Sequence, residues 1–292
     1  MCDEKTLESW SAYLKDHPPV TRRAFGAITA GAGLAAVLPS VANAQAVAES
    51  DVEITTPDGT ADAYFVHPTT GTHPGVLIWP DILGLRPAFR QMGRRLAQSG
   101  YSVLVVNPFY RGARSPVVPE GASFGDPEVR GKVMPLAQAL NAETHVTDAV
   151  AFVSWLDEQD AVSGTRKMGT TGYCMGGPMV MRTAAARADR IGAAGTFHGG
   201  GLATAADNSP HLLIPQMQAD FLIAIAANDD ESDPEAKNTL RRSFAAAGLK
   251  AEIEVYAGAQ HGWCPPDSAV YNEAQAERAW TRMLALFDGA LA

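Results

Sequence analysis

The sequence predicts an α/β fold, a three-layer sandwich on a mostly parallel sheet that begins with an antiparallel hairpin. Three observations carry this expectation. Beyond residue 50, short apolar or β-branched runs alternate with longer stretches of helical periodicity, the order of a layered α/β domain. Most of the strand-like runs are continuously apolar, as strands covered on both faces are. The first two runs are separated only by Pro57-Asp58-Gly59, a turn too short for a helical crossover.

Residues 51–55 and 61–67 flank that turn and form the hairpin. Runs at 75–79, 102–107, 167–173, 191–197, 221–226 and 251–256 supply six further strands. Helices are expected over 88–99, 143–158, 177–188, 234–247 and 272–287. The helix over 234–247 has a start signal: Asp233 as N-cap, Pro234 at the first position and Glu235 in the first turn. The last helix sets Ala276, Trp280, Met283, Leu284 and Phe287 at helical spacing, an apolar cover for a sheet. Residues 111–135 carry Pro116, Pro119, Pro127 and Pro135 with no clear period. They read as a long loop, either a cover over a site or a surface excursion. No repeat or linker divides residues 45–292, which read as one domain.

The chain has 292 residues, and 23 Lys+Arg against 32 Asp+Glu give a formal net charge of −9. With 46% hydrophobic and 19% charged residues it is neither disordered nor collagen-like. The acidic balance argues against nucleic acid as a partner, because phosphates call for a Lys/Arg excess on one face. Three cysteines are too few for a disulfide scaffold, and none has a CxxC neighbour, so neither metal nor cofactor is expected.

The N-terminus has its own character. Residues 24–48 are uncharged and rich in Ala and Gly, Arg22-Arg23 precede them, and Ala42-Asn43-Ala44 lies near their end. A basic pair, a mildly apolar run and a small-x-small site make residues 1–44 a twin-arginine-type signal segment. The expected location is the periplasm, or the cytoplasm if the signal is not used. Pro39 and the glycines at 26, 31 and 33 argue against a membrane anchor, so the membrane is met only during export. Cleavage after Ala44 leaves 248 residues with the net charge unchanged and removes Cys2, so Cys174 and Cys264 remain.

The sharpest chemical signal is Gly172-Tyr173-Cys174-Met175-Gly176-Gly177, between an apolar strand and a helix. This is a nucleophile elbow, G-x-S-x-G, with Cys in place of Ser. Glycines let neighbouring backbone pass the strained turn, and the helix N-terminus favours a thiolate. A thiol nucleophile needs a base, and the base needs an orienting acid, in the chain order nucleophile, acid, histidine. Of His198, His211 and His261, only His261 follows the last strand. His198 heads a glycine run similar to an oxyanion loop, yet it comes after the nucleophile and is set aside to line the pocket or cap a turn. The acid lies in Asn228-Asp229-Asp230-Glu231-Ser232-Asp233. Asp233 has its capping job, Asp229 is nearest the strand end, and Asp230 is the alternative.

The elbow, the Asn228-Asp229 turn and Gly258-Ala259-Gln260-His261-Gly262-Trp263 together resemble the dienelactone hydrolase family of α/β-hydrolases, from about residue 51 to the C-terminus. The resemblance implies a three-layer α/β-hydrolase fold and hydrolysis of a lactone or enol ester through an acyl-cysteine intermediate. It assigns Cys174 as nucleophile, His261 as base and later acid, and Asp229 as the orienting carboxylate. It makes the amides of Ile82 and Met175 the oxyanion hole. Asp81 stands where the family has a glutamate near the thiol. Arg111 matches one arginine that binds a substrate carboxylate, while Pro265 stands at the position of the second. Tyr110 and Trp263, with Trp79, flank strand ends and either line an aromatic pocket or belong to the ordinary core. The implied partner is a small ester or lactone, with a carboxylate where Arg111 is used. From another class, Cys174 and Cys264 would make the chain a thiol-based redox-sensing or binding protein on a hydrolase scaffold. A serine esterase using Ser209 is a weaker reading, since no elbow surrounds that residue.

Overall fold

The computed structural model describes residues 38–292, so Arg22-Arg23 and most of the expected signal segment lie outside the described residues. The strands are β1 (Val47–Thr56), β2 (Gly59–Pro68), β3 (Gly75–Trp79), β4 (Ser102–Val106), β5 (Met168–Tyr173), β6 (Ile191–Phe197), β7 (Asp220–Ala226) and β8 (Ala251–Tyr256). They form one sheet in the order β1-β2-β4-β3-β5-β6-β7-β8. β1 pairs antiparallel with β2, and β2 with β4; every other pairing is parallel. Pro57 and Asp58 close the hairpin between paired Thr56 and Gly59, and the Asp58 amide donates to Thr56 Oγ1.

The helices are α1 (Pro87–Gln98), α2 (Pro127–Gln138), α3 (Ala142–Asp157), α4 (Gly176–Ala186), α5 (Ala227–Ser232), α6 (Ala236–Ala247) and α7 (Glu273–Ala290), with a 3-10 helix at Pro210–Gln216. Among the described residues no helix is long and apolar enough to cross a membrane. Strand alternation divides the core in two. Leu77, Trp79, Leu104, Val106, Phe221 and Ile223 meet Phe152, Met179, Leu240 and Phe244 on the face covered by α3, α4 and α6. Val76, Ile78, Val103, Val105, Leu222 and Ala224 meet Phe89, Leu96, Met283 and Phe287 on the face covered by α1 and α7. Burial on both faces is why these strands read as unbroken apolar runs.

The outer strands are defended by charge. Glu49, Asp51 and Glu53 of β1 pair with Arg94, Arg90 and Arg114, and Glu252 and Glu254 of β8 pair with Arg282 and Arg278. Such edges resist further strand pairing.

The long loop expected over residues 111–135 is corrected in part: its end is the start of α2. Asp126 caps that helix, its carboxylate accepting from the Glu128 amide, and Pro127 opens it. Only Val129 and Val133 of α2 are buried, and Pro135 sits inside it, so neither a full apolar stripe nor proline-free sequence marks it. With Ile82, Phe109, Val117 and Val118 these two valines form a third, smaller apolar cluster, and Met175 packs against it. The expected helix over 234–247 begins later, at Ala236, preceded by the short α5; Asp233 still accepts from the Ala236 amide.

Strand order also places the site. From β3 the chain crosses outward to β4, then returns to the other side of β3 as β5. Diverging connections open a crevice at the carboxyl ends of the two strands, where open α/β sheets hold ligands. Loop 80–86 and the turn at 174–175 meet there.

Candidate active site

Cys174 follows β5 with φ +52, a left-handed conformation that a residue with a side chain rarely adopts. Such strain costs on the order of 1–3 kcal/mol and persists only where the surroundings fix it. Here the Cys174 amide donates to Phe197 O at 3.0 Å, and the Gly177 amide donates to Cys174 O at 3.1 Å. Two glycines are required by contact. A Cβ on Gly172 would lie 2.4 Å from Gly176 O, and one on Gly176 would lie 2.4 Å from Trp79 O. The second approach packs the start of α4 directly against the end of β3, so the Met175 amide and the loop carrying Ile82 face one crevice. Among the described residues, neither the Ile82 nor the Met175 amide finds an acceptor in the turn and loop backbone hydrogen bonds.

His261 reaches the same place from the loop after β8. Its Nδ1 lies 2.9 and 2.8 Å from the two carboxylate oxygens of Asp229, and its side chain hydrogen-bonds to Cys174. The buried Asn228 holds the loop, its Oδ1 accepting from the His261 amide at 2.8 Å. Asp230, one residue on, turns away and bonds Lys237 Nζ at 2.5 and 2.6 Å. Burial alone would push the His261 pKa down. The negative charges of Asp229 and Cys174, with hydrogen bonds to both, hold it well above the usual histidine value.

His198, which the sequence left to a turn or a pocket wall, stands beside this group. It adopts φ +42 and is wholly buried, its ring centroid 5.1 Å from that of His261 and 5.0 Å from that of Trp263. Neither ring nitrogen has a hydrogen-bond partner among the described residues. Burial, reinforced by His261, drives its pKa well below the usual value, so this imidazole is neutral.

Several expected substrate residues are engaged elsewhere. Asp81 receives Arg86 in a paired contact at 2.7 and 3.0 Å, and its Oδ1 also accepts from the Leu83 amide. Arg86, buried and not marked by any motif, grips Asp267 as well, at 2.7 and 2.9 Å. This guanidinium ties the loop bearing Ile82 to the loop bearing His261. Burial opposes the charge of Arg86, but its two carboxylates raise its pKa beyond the ordinary arginine value.

Arg111 donates to Asp148 at 2.9 and 2.7 Å and to Asp58 at 3.0 and 2.6 Å. Tyr110 Oη shares hydrogen bonds with Thr56 at 2.8 Å and Asp148 at 2.7 Å. Both residues therefore bind the β1–β2 turn to α3, and the guanidinium expected to meet a substrate carboxylate is occupied by the chain's own acids. Trp263 is fully buried, stacked on Tyr256 with centroids 5.3 Å apart, and backs His198. Trp79 is in the core, donating to Thr183 Oγ1 at 3.1 Å. Of the two expectations for these rings, the structure takes the core one, and the cluster packed on Ile82 and Met175 is mainly aliphatic.

Cys264 lies in the apolar layer under α1 and α7, its thiol pKa pushed well above the usual value by burial. Among the described residues no group of His, Cys, Asp or Glu is placed to hold a metal ion.

Comparison with known proteins accords with this architecture. A protein of Salmonella typhi, provisionally named a carboxymethylenebutenolidase, is 27% identical over 232 residues, covering 77% of this chain and 81% of its own. A solved structure from Klebsiella pneumoniae, titled provisionally as a dienelactone hydrolase, superposes with a TM-score of 0.71 at 24% identity, covering 84% of this chain and 99% of that one. A dienelactone hydrolase-like promiscuous phosphotriesterase from metagenomic libraries gives 0.69 at 22% identity, covering 85% and 100%. The sequence pattern of the dienelactone hydrolase family matches residues 61–291, which include the elbow, the Asn228-Asp229 turn and the His261 loop, and the chain belongs to that family.

Proposed function

We propose that the protein hydrolyses a carboxylic ester or lactone through an acyl-cysteine intermediate, with Cys174, His261 and Asp229 as its triad. The observation that carries this reading is the hydrogen-bonded line from the Cys174 thiol through His261 to Asp229. Family membership supports the reaction class. The raised pKa of His261 favours an imidazolium beside a thiolate before substrate arrives, with the start of α4 adding its positive dipole end.

In this mechanism Cys174 Sγ attacks the acyl carbon, and the carbonyl oxygen gains negative charge against the amides of Ile82 and Met175. One such donor is worth roughly 3–4 kcal/mol of transition-state stabilisation. Collapse breaks the acyl C–O bond, and His261 gives its proton to the departing oxygen; in a lactone that oxygen stays within the acyl group. Water, deprotonated by the now neutral His261, attacks the thioester and releases the carboxylate. Asp229 keeps Nδ1 protonated throughout, so that Nε2 exchanges the proton.

The test is turnover of a 4-nitrophenyl ester by the wild type, Cys174→Ala and Cys174→Ser. Loss of turnover in the alanine variant, and a strong reduction in the serine variant whose hydroxyl demands a stronger base, are expected. Wild-type rates in Cys174→Ala would overturn the assignment. A redox-sensing pair of Cys174 with Cys264 is disfavoured by Cys264, whose buried thiol resists forming the reactive thiolate.

A further inference from the structure

We propose that the substrate is an uncharged ester or lactone, without a free carboxylate, whose acyl group lies against the valine cluster of Val117, Val118, Val129 and Val133. The inference rests on the reading of Cys174 as the nucleophile of an ester hydrolase and adds the class of molecule that site accepts.

Three observations point the same way. First, Arg86 on the loop after β3 and Arg111 on the loop after β4 are neutralised from within. Arg86 is bound by Asp81 and Asp267, and Arg111 by Asp58 and Asp148, each guanidinium making four hydrogen bonds to two carboxylates. Each group holds one cation against two acids, so neither presents a free positive charge. An incoming carboxylate would have to displace one of these internal acids.

Second, charged or titratable groups packed beside the triad are committed as well. Lys237 pairs with Asp230, and His198 is buried beside His261 with its ring uncharged. Arg182, on the helix that follows the nucleophile, is buried; it donates to Asn208 O at 2.9 Å and lies 3.4 Å from His145 Nδ1. Its donors are thus directed to the α3 side and the 203–209 loop.

Third, the side chains packed on Ile82 and Met175 are mainly apolar. Val117, Val118, Val129 and Val133 gather on Ile82, and Met175 joins the same cluster. A carboxylate moved from water to such a wall without a partner loses its hydration with no compensation, whereas an alkyl or neutral ring gains by burial.

A matched pair of probes separates the possibilities: 4-nitrophenyl valerate and mono-4-nitrophenyl glutarate, which differ by a terminal methyl against a terminal carboxylate and share a leaving group. Both are followed by 4-nitrophenolate release from the full chain, with Cys174→Ala as background. The expected result is a kcat/KM for valerate at least about 100-fold above that for glutarate. Comparable values, or a preference for glutarate, overturn the proposal while leaving the hydrolase reading intact. Hydrolysis of neither probe above the Cys174→Ala background removes the hydrolase reading, and the proposal with it.

Discussion

Asp229 and Asp230 are neighbours in sequence with different work in the structure. Asp229 meets His261 through both oxygens, and Asp230 meets Lys237. Position relative to the strand end favoured Asp229 but left Asp230 open, because chain order does not say which way adjacent side chains turn. Asp229→Asn is expected to lower kcat about 10³-fold or more by losing the charge and tautomer control at Nδ1, and Asp230→Asn to leave kcat within a few-fold. Equal losses in steady-state assays would remove the distinction. His261 makes a second prediction. Its folded pKa is raised, so the protonated ring contributes stability that is fully present below its unfolded value, about 6.5, and is lost as pH rises through the folded value. Thermal unfolding should show Tm declining as pH is raised from neutral into the alkaline range, and the decline should shrink in Asp229→Asn. An identical pH profile for both proteins would contradict the linkage.

At the scale of elements, the site depends on loops held together by groups that left little trace in the sequence. Arg86 bridges the loop bearing Ile82 and the loop bearing His261 by pairing with residues 5 and 181 positions away. No local spacing announces a contact of that separation. Arg86→Met leaves two acids without their cation. With Asp267 about one-third exposed the loss is discounted to the low end for broken buried pairs, about 3 kcal/mol, or roughly 6–12 °C in Tm. Calorimetry that finds no change would show the clamp to be dispensable. The helix α2 was hidden for a different reason. Two buried valines and an internal proline give no periodic signal, although Asp126-Pro127 is a legible start once the helix is known. The strands β3, β4, β6 and β7 are readable to within a residue, since burial on both faces writes itself as a largely apolar run. Arg111 was read as a substrate ligand because its neighbours in sequence do not disclose Asp58 and Asp148, which arrive from the hairpin turn and α3.

For the whole molecule, the order of strands decides where chemistry can occur. The reversal about β3 opens the crevice, the close approach at Gly176 narrows it, and the loops after β7 and β8 bring Asp229 and His261 over it. The motifs at Cys174 and His261 are legible because the elbow and the histidine loop follow particular strands in this topology; the valine cluster and the internal neutralisation of Arg86 and Arg111 emerge only from the assembled fold. Twin-arginine export of the chain is a separate proposal. If residues 1–44 direct twin-arginine transport, Arg22→Lys with Arg23→Lys will retain the protein in the cytoplasm, and unchanged periplasmic recovery in cell fractionation would exclude that route. The central claim is the acyl-cysteine. Rapid acid quench of the full chain with 4-nitrophenyl valerate, followed by peptide mass spectrometry, tests it most directly. The account predicts an added acyl mass on the peptide containing Cys174, absent from Cys174→Ala. Turnover with no such adduct, and undiminished in Cys174→Ala, would contradict it.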